Sequence, residues 1–164
     1  MRNQYKVLAE KYEQVLEADQ EPVMTIDKKG TKEWKLKGKL HRLDGPAFVS
    51  VRGKEWYRNG KLHRVDGPAL ELADGTKEWL QNGELHRLDG PAHIDRSRST
   101  WWVNNERHRL DGPAVEFTDG TKEWWIKGEN YSFKDFNLQV SIMKGLKDLA
   151  LMRTKYEKPI QNFS

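Results

Sequence analysis

Short runs of alternating apolar and polar residues, each closed by a turn signal, fill the middle of the chain. The runs that contain a tryptophan, such as GKEWYRNG and GTKEWWIKG, end in Asn-Gly or Lys-Gly. Alternation with a period of two between turn residues is typical of β-strands in hairpins. A second run leads from a histidine through Asp-Gly-Pro-Ala into AFVSV, ALELA or AVEFT, so each segment predicts two strands.

The second strand of each segment contains a proline, which donates no backbone hydrogen bond. We therefore expect a bulge or a break in that strand at each proline. These residues are Pro46, Pro68, Pro91 and Pro113.

The segments repeat along the chain at a nearly constant interval. Tryptophans recur 22, 23, 22 and 23 residues apart, at Trp34, Trp56, Trp79, Trp101 and Trp124. Each of the first four is followed by a histidine and an aspartate, at His41, His63, His86 and His108 and at Asp44, Asp66, Asp89 and Asp111. A fixed period of this length indicates units that bury their apolar faces only by stacking on their neighbours.

These units predict a mainly β protein, an antiparallel meander of stacked β-hairpin repeats in a single twisted sheet. Residues 30–131 hold four and a half units. Residues 1–29 hold an N-terminal amphipathic helix and a linker, and residues 132–164 hold a C-terminal helical segment and a tail. We expect both helices to pack on the sheet or to cap it, as the ends of repeat proteins do.

Apolar residues at helical spacing support the two terminal helices. The first helix is predicted over residues 2–18, with the stripe Tyr5, Leu8, Ala9, Tyr12, Val15 and Leu16 ending before Pro22. The second begins at Ser132, where Asp135 completes a start similar to a capping box, and Gly145 is a point where it could end. Its apolar stripe is Phe133, Phe136, Val140, Met143 and Leu146.

The order of an aromatic residue, a Gly-x-x-His step and a second strand ending at Asp-Gly resembles the MORN repeat. More closely, four copies of HRxDGPA resemble a repeat found in proteins of bacteriophages, large DNA viruses and some bacteria. The resemblance covers residues 30–131, although the residue after each histidine, a glycine in MORN units, is arginine here. It implies stacked hairpins, and it implies a phage-encoded protein that binds and modulates or inhibits a host protein in the host cytoplasm.

Composition narrows the functional classes. The chain of 164 residues is long enough for one domain, and it has no cysteine, which excludes a disulfide framework and thiolate zinc sites. No apolar run is long enough for a membrane span or a signal peptide, so we expect a cytoplasmic protein.

The formal net charge is +4, but residues 30–131 hold 18 Lys+Arg against 16 Asp+Glu. A basic face for nucleic acid would therefore have to be local.

Histidine, arginine and aspartate lie close together in every unit, as they do in some catalytic loops. A catalytic or metal site needs groups that converge on one point, whereas equivalent side chains of stacked units form a row. We therefore interpret the repeated residues as structural, with each histidine bonded to the next turn and each arginine paired with an aspartate. On this interpretation the protein has no catalytic residues, no metal site and no cofactor.

The repeated tryptophans predict an apolar core row on one face of their strands, shared with Leu36, Val103 and Ile126. The opposite face becomes more apolar toward the C-terminus, through Lys35, Tyr57, Leu80, Trp102 and Trp125. A second apolar face must be covered or offered to a partner. We expect the C-terminal helix to cover it.

The fourth unit departs from the pattern, which makes it the first candidate for specific binding. DRSRST replaces ADGTKE, the turn Asn-Gly becomes Asn-Asn, and His93 and Asp95 stand where other units have mostly apolar or neutral residues. The predicted binding residues are Arg96, Arg98, Trp102, Asn104, Asn105, Arg107, Arg109 and Trp125.

The function that follows is a non-enzymatic protein–protein interaction module, whose partner docks on a sheet face or a hairpin edge. A homodimer through an end strand or through the N-terminal helix is an open alternative. A second hypothesis is binding of an anionic ligand, a nucleotide or a nucleic acid, by the arginines of the fourth unit with Trp102 as a stacking surface. A third is a hydrolase or nuclease that uses the repeated histidines and aspartates.

Overall fold

The computed structural model describes residues 21–156, and side chains up to residue 151. The predicted N-terminal helix and residues 157–164 of the predicted tail lie outside the described residues. Within the described range the chain is mainly β, with short antiparallel strands followed by one C-terminal helix.

The strands and the helix have the following bounds. The first nine strands are β1 Val23–Ile26, β2 Lys32–Leu36, β3 Lys39–Leu40, β4 Phe48–Ser50, β5 Gly53–Glu55, β6 Tyr57–Arg58, β7 Lys61–Leu62, β8 Leu70–Leu72 and β9 Lys77–Glu78. The next nine are β10 Leu80–Gln81, β11 Glu84–Leu85, β12 His93–Ile94, β13 Arg98–Thr100, β14 Trp102–Val103, β15 Glu106–Arg107, β16 Val115–Phe117, β17 Lys122–Ile126 and β18 Glu129–Tyr131. The helix α1 is Phe133–Tyr156.

One sheet runs through the described part of the chain in sequence order. Its strand path is β1-β2-β4-β5-β8-β9-β12-β13-β16-β17-β18, with β3 paired to β2, and every described pairing is antiparallel. Three small hairpins, β6-β7, β10-β11 and β14-β15, lie beside it. The predicted linker before residue 30 is in part the strand β1, which pairs with β2 and forms one end of the path.

Most of the predicted strands that contain a tryptophan are broken in two. At Trp56 the backbone changes partners, because its N–H donates to Ala69 O while its carbonyl accepts from His63 N. The first half of the strand, β5, belongs to the main sheet, and the second half, β6, belongs to a small hairpin. The segment around each proline is a bend without strand structure, as the missing proline N–H predicts.

The hairpin turns have two successive residues with positive φ, the geometry that fits the twist of β-hairpins. In the second unit these are Asn59 (51°) and Gly60 (80°). In the fourth unit Asn104 (50°) and Asn105 (63°) occupy the same places. The fourth unit therefore keeps the turn although it lacks the glycine, because asparagine tolerates the left-handed region better than most residues.

The buried apolar residues, four of which are alanines, lie along the sheet and at its C-terminal end. They are Leu36, Ala47, Ala69, Leu80, Ala92, Ala114, Val115, Ile126, Phe136 and Val140. The last three form one cluster, against which Trp124, Tyr131 and Met143 pack. The helix α1 thus closes the sheet at β17 and β18.

The start of α1 is fixed by a capping interaction, as its sequence predicts. Ser132 Oγ accepts from Asp135 N at 3.2 Å and donates to Asp135 Oδ2 at 2.6 Å. The helix continues through Gly145. Of its predicted apolar stripe, Phe133 and Leu146 are exposed.

Candidate protein-binding surface

Four equivalent loops, here called joints, connect the small hairpins to the main sheet. Each joint is the seven-residue segment from histidine to alanine, at residues 41–47, 63–69, 86–92 and 108–114. The backbone of each joint is tied to the next unit, for example by Arg42 N donating to Tyr57 O at 3.0 Å. Neighbouring units are therefore connected at equivalent positions.

The histidine of each joint binds the turn of the following unit. Its Nδ1 lies 3.1 to 3.3 Å from the backbone N–H of the first turn residue, at Asn59, Asn82, Asn104 and Lys127. Those four turn residues all have positive φ. Burial lowers the pKa of His63 and His108, which favours the neutral ring that can accept this hydrogen bond. The histidines thus hold strained turns in place, and they do not converge on one point.

The arginine of each joint covers the tryptophan of its own unit. Its Cζ lies 4.0 to 4.2 Å from the centre of the indole ring, in the pairs Arg42–Trp34, Arg64–Trp56, Arg87–Trp79 and Arg109–Trp101. These tryptophans are half-buried, and each carries a guanidinium group on one face, whereas the sequence predicted an apolar core row. A guanidinium plane stacks well on an indole face, and it occupies the place where a second apolar layer was expected.

The aspartate of each joint holds the arginine from the outer side. Arg64 Nε donates to Asp66 Oδ1 at 2.9 Å, and Arg64 Nη1 donates to the Pro68 carbonyl at 3.4 Å. This hydrogen bond lowers the pKa of Asp66, and the same contact does so at the equivalent aspartates, Asp44, Asp89 and Asp111. All four carboxylates are nevertheless exposed, with 77 to 85% of the side chain accessible.

The glycine of each joint gives the guanidinium its space. A Cβ added to Gly67 would lie 2.8 Å from Arg64 Cζ, and one added to Gly112 would lie 2.8 Å from Arg109 Cζ. The alanine that ends each joint, after the proline, is completely buried. Every position of the joint except one therefore has an internal contact that accounts for it.

The exception is the residue between arginine and aspartate, which is apolar in all four joints and points into solvent. We call these residues the apolar row: Leu43, Val65, Leu88 and Leu110, with exposed fractions of 64, 76, 79 and 40%. Consecutive members lie two strands apart in the sheet order, which corresponds to about 10 Å. Each is followed by the exposed aspartate of its joint.

Grooves lie between neighbouring joints. One of about 440 Å³ is lined by Leu43, Asp44, Val65 and Asp66 together with Arg58. A second, of about 620 Å³, has Leu88 and Leu110 with their aspartates in the equivalent places. The surface therefore repeats an apolar side chain, a carboxylate and a groove.

Sequence reasoning did not select the apolar row. The signal was present, because an apolar residue between His-Arg and Asp-Gly has no apolar neighbour at strand spacing within its joint. Its exposure follows from the bend, which turns the backbone away from the sheet at this point.

A larger groove of about 920 Å³ lies at the opposite edge, among the turns of the first three units. Phe48 and Leu72 contribute apolar area, and Asp27, Lys29 and Arg52 bring charges of both signs.

The second face of the tryptophan strands carries a row of half-buried glutamates. Glu33, Glu55, Glu78 and Glu123 occupy the position before the tryptophan, and Thr100 takes that position in the fourth unit. Each of three glutamates accepts from the side chain two residues on, in the pairs Lys35–Glu33, Tyr57–Glu55 and Trp125–Glu123. Burial, followed by the bond to Glu55, raises the pKa of Tyr57 to about 12.

The C-terminal helix does not pack on this second face, contrary to expectation. Only Ser132 separates β18 from α1, and this short connection places the helix on the side of Trp124 and Ile126. On the second face Arg107 lies between two indoles instead, with its Cζ 5.4 Å from the Trp102 ring centre and 4.7 Å from that of Trp125. At this point the second face is therefore covered by the guanidinium group of Arg107.

The structure divides the predicted binding residues among different places. Arg107, Trp102 and Trp125 share the second face, whereas Arg109 stacks on Trp101 and pairs with Asp111 and Glu116. Asn104 and Asn105 form a turn. Arg96 and Arg98 lie at the β12-β13 turn, where Arg96 Nε donates to Asp74 O at 3.0 Å and Arg98 Nε lies 3.8 Å from Asp95 Oδ2. These arginines do not form one open cationic patch.

Because Thr100 replaces the glutamate in the fourth unit, the indole N–H two residues on has no carboxylate acceptor. Trp125 Nε1 donates to Glu123 Oε2 at 2.8 Å, but the residue two before Trp102 is Thr100. Within residues 21–151, Trp102 Nε1 is buried without a hydrogen-bond partner, as is Arg107 Nε beside it. A buried unpaired donor destabilises the fold, so this part of the fourth unit is less well satisfied than its equivalents.

His93 lies between two carboxylates. Its Nδ1 is 2.9 Å from Glu78 Oε1 and its Nε2 is 2.9 Å from Asp95 Oδ2, and both contacts are hydrogen bonds only if both ring nitrogens carry protons. Asp95 also accepts from Ser97 and from the Arg98 N–H. The bond to His93, followed by those from Ser97, holds the pKa of Asp95 far below its ordinary value.

Comparison of the chain with protein-family models, with curated proteins and with solved structures gives no match. In the described part of the chain, no group of three or more His, Asp and Glu side chains is arranged to hold a metal ion. The helix found there is not both long and apolar enough to cross a membrane.

Proposed function

We propose that this protein is a non-enzymatic protein-binding module, built as a MORN-like stack of hairpin repeats and docking its partner along the apolar row. If the chain is phage-encoded, as the HRxDGPA resemblance implies, that partner is a host protein. The observation that carries the proposal is the exposure of one apolar side chain in every joint, at Leu43, Val65, Leu88 and Leu110. An apolar row that no fold contact requires is typical of an interaction surface.

The surroundings of the row favour a basic partner. The four aspartates beside it are exposed, whereas the joint arginines are covered by tryptophan on one side and by carboxylate on the other. Arg58 adds one cation to the first groove. A spacing of about 10 Å matches the rise of seven residues of an α-helix. A helix with an apolar residue at every seventh position and lysine or arginine beside it therefore fits the row.

The anionic-ligand alternative has less support from the geometry. Arg109 is paired with two carboxylates, and Arg96 is bonded to a backbone carbonyl. Catalysis by the joint residues also has less support, because each histidine is occupied by the next turn.

The test compares affinity capture from a bacterial lysate by three immobilised proteins. The first is the natural chain, and the second replaces the whole row by Leu43→Ser, Val65→Ser, Leu88→Ser and Leu110→Ser. Exposed substitutions of this kind change stability by only about 0.5 kcal/mol each, so we expect the variant to fold. We expect a dominant captured protein that the row variant loses and that elutes at raised ionic strength.

The matched control carries Val51→Ser and Met24→Ser, two exposed apolar residues outside the row. It should capture the same protein as the natural chain. Equal capture by all three proteins, or no specific capture by the natural chain, would contradict the proposal.

A further inference from the structure

The groove of about 920 Å³ at the edge opposite the joints lies among three neighbouring turns, and we call it the turn groove. These turns join β1 to β2, β4 to β5 and β8 to β9. Two residues separate Ser50 from Gly53, the last paired residues at the middle turn, whereas five separate the last paired residues at each of the other two. A short turn between two longer ones leaves a gap, and its size is that of a ligand cleft.

Apolar side chains line the turn groove. The strand register places Phe48 and Leu72 on the same face of the sheet, and both are half-buried. Val51, in the short turn, is 89% exposed and also lines the groove. A ligand with apolar groups would therefore remove apolar surface of the protein from water on binding.

Three carboxylates of the turn groove are held in place by the fold. Asp27 Oδ1 accepts two backbone N–H groups of its own turn at 2.8 Å, and Asp74 Oδ1 accepts from Thr76 N at 2.9 Å. These bonds lower the pKa of both carboxyl groups, so both are ionised at neutral pH. Glu55 Oε2 accepts from the Tyr57 hydroxyl at 2.7 Å. The groove thus presents negative charges in fixed positions.

Two cations of the turn groove have no partner in the part of the chain that the structure describes. Lys29 and Arg52 line the groove, but neither side chain forms a hydrogen bond or an ion pair with residues 21–151. The joint arginines, by contrast, are all paired with a carboxylate. The turn groove therefore keeps charges of opposite sign apart, and a ligand that carries both a cationic and an anionic group is complementary to it.

The charges differ from one turn to the next. On the β1-β2 turn, Asp27 and Lys29 both line the groove and balance each other. The β4-β5 turn brings only the cation Arg52, and the β8-β9 turn brings only the carboxylate Asp74. The residues suited to hold the two ends of a dipolar ligand are therefore Arg52 and Asp74.

We infer that the turn groove binds a short peptide with free termini and apolar side chains. Arg52 binds the carboxylate of the peptide, Asp74 binds its ammonium group, and its side chains pack on Phe48 and Leu72. The turn groove is separate from the apolar row, so this site is additional to the docking surface proposed above.

The test follows the backbone amide signals of the full-length protein by NMR while the tripeptide Phe-Ala-Leu is added. The signals of Val51, Gly53 and Leu72 should move, because these residues form or adjoin the groove. The signals of the joints should stay in place. We expect saturation with a Kd of about 1 mM or tighter.

Two variants remove the two charges that the inference uses. Arg52→Gln and Asp74→Asn should each weaken binding about threefold to tenfold, the effect of one charged contact at a partly exposed site. The matched controls are Lys54→Gln, an exposed cation on the other face of the sheet, and Asp119→Asn, the same capping carboxylate in the last unit. Both controls should bind the peptide as the natural chain does. All four side chains are exposed, so we expect the variants to fold.

Blocked peptides identify the group that each residue binds. The tripeptide with an amidated C-terminus should bind more weakly than the free one, and Arg52→Gln should not weaken it further. The tripeptide with an acetylated N-terminus should likewise bind more weakly, and Asp74→Asn should not weaken it further.

The inference is overturned if no signal of the turn groove moves at millimolar peptide, or if either blocked peptide binds as tightly as the free one. It is also overturned if the controls weaken binding as much as Arg52→Gln and Asp74→Asn do. Capture through the apolar row is measured separately, so the two proposals fail independently.

Discussion

A histidine that accepts a backbone N–H from the next unit solves a local problem of the hairpin turn. The first turn residue has positive φ, a conformation that costs an L-amino acid free energy. His63 Nδ1, 3.1 Å from Asn82 N, compensates part of that cost by satisfying the turn N–H. The arginine and aspartate of the same joint are fixed by contacts of their own, so the three polar residues that look reactive in each joint are held by contacts within the fold.

The Asp95 carboxylate should make stability depend on pH. Its pKa in the folded state is depressed, mainly by His93, so the stability it provides is present above the ordinary value near 3.8 and is lost as the pH falls below it. At pH 7, Asp95→Asn should lower the free energy of unfolding by about 1–2 kcal/mol, since the side chain is still partly exposed. Urea unfolding at pH 7 and at pH 3 measures this difference.

The difference between the natural chain and Asp95→Asn should shrink at pH 3, because the carboxylate has begun to lose its advantage there. His93→Gln removes the largest cause of the shift and should reduce the same pH dependence. An equal difference at both pH values would show that Asp95 does not act through its charge.

At the scale of single elements, the hairpin turns depend on the left-handed region more than on a fixed sequence. The second turn residue is Gly38, Gly60, Gly83 and Gly128 in four turns and Asn105 in the fourth unit, at φ 63°. The strands on either side of the fourth-unit turn, β14 and β15, pair antiparallel, as do the strands of the hairpins β6-β7 and β10-β11. The exchange of glycine for Asn105 therefore changes the conformational cost of the turn and leaves its shape unchanged.

The reciprocal pair Asn105→Gly and Gly83→Asn tests this interpretation. We expect Asn105→Gly to raise the free energy of unfolding by a few tenths to about 1 kcal/mol, because glycine has no steric cost at positive φ. Gly83→Asn should lower it by a similar amount. Thermal unfolding of both variants gives the values, and a change of the same sign in both would refute the explanation.

Sequence reasoning located the turns, the strands and the helix start because each has a local cause. Asn59-Gly60 and the Ser132 cap are examples, as both depend on residues within a few positions. It placed the tryptophans in an apolar core, because nothing in an alternating pattern reveals that Arg64 folds back over Trp56. It also missed the exposure of Val65, which follows from a bend in three dimensions.

On the scale of the whole molecule, contacts connect each unit mainly with its neighbours. The strand path follows the sequence, and the joint-to-turn hydrogen bonds join one unit to the next. The stability of such an array is approximately a sum of unit and interface contributions. The C-terminal end is closed by α1, whose first residue, Phe133, has its ring centre 5.1 Å from that of Trp124.

Removal of one complete unit should therefore leave a folded protein. Deletion of residues 57–79 joins Trp56 to Leu80 and restores the pattern of equivalent positions. We expect cooperative unfolding with a denaturant dependence roughly one sixth smaller than in the natural chain, because less surface is exposed on unfolding. Urea titration followed by circular dichroism measures it.

Deletion of residues 57–67 alone removes half a unit and is the control. It takes out a hairpin and most of a joint without restoring the register, so the shortened chain should lose its cooperative transition. If the half-unit deletion were as stable as the complete one, the units would not be the building blocks of this fold.

The single tryptophan of the repeat position makes each unit its own optical reporter. Trp34, Trp56, Trp79 and Trp101 sit under equivalent guanidinium groups, so their emission in the folded state should be closely similar. A set of chains that keeps one of them, with phenylalanine at the other six tryptophans of the sequence, would show the order in which the stack opens from its two ends. The architecture thus offers a position-resolved view of its own unfolding without an attached dye.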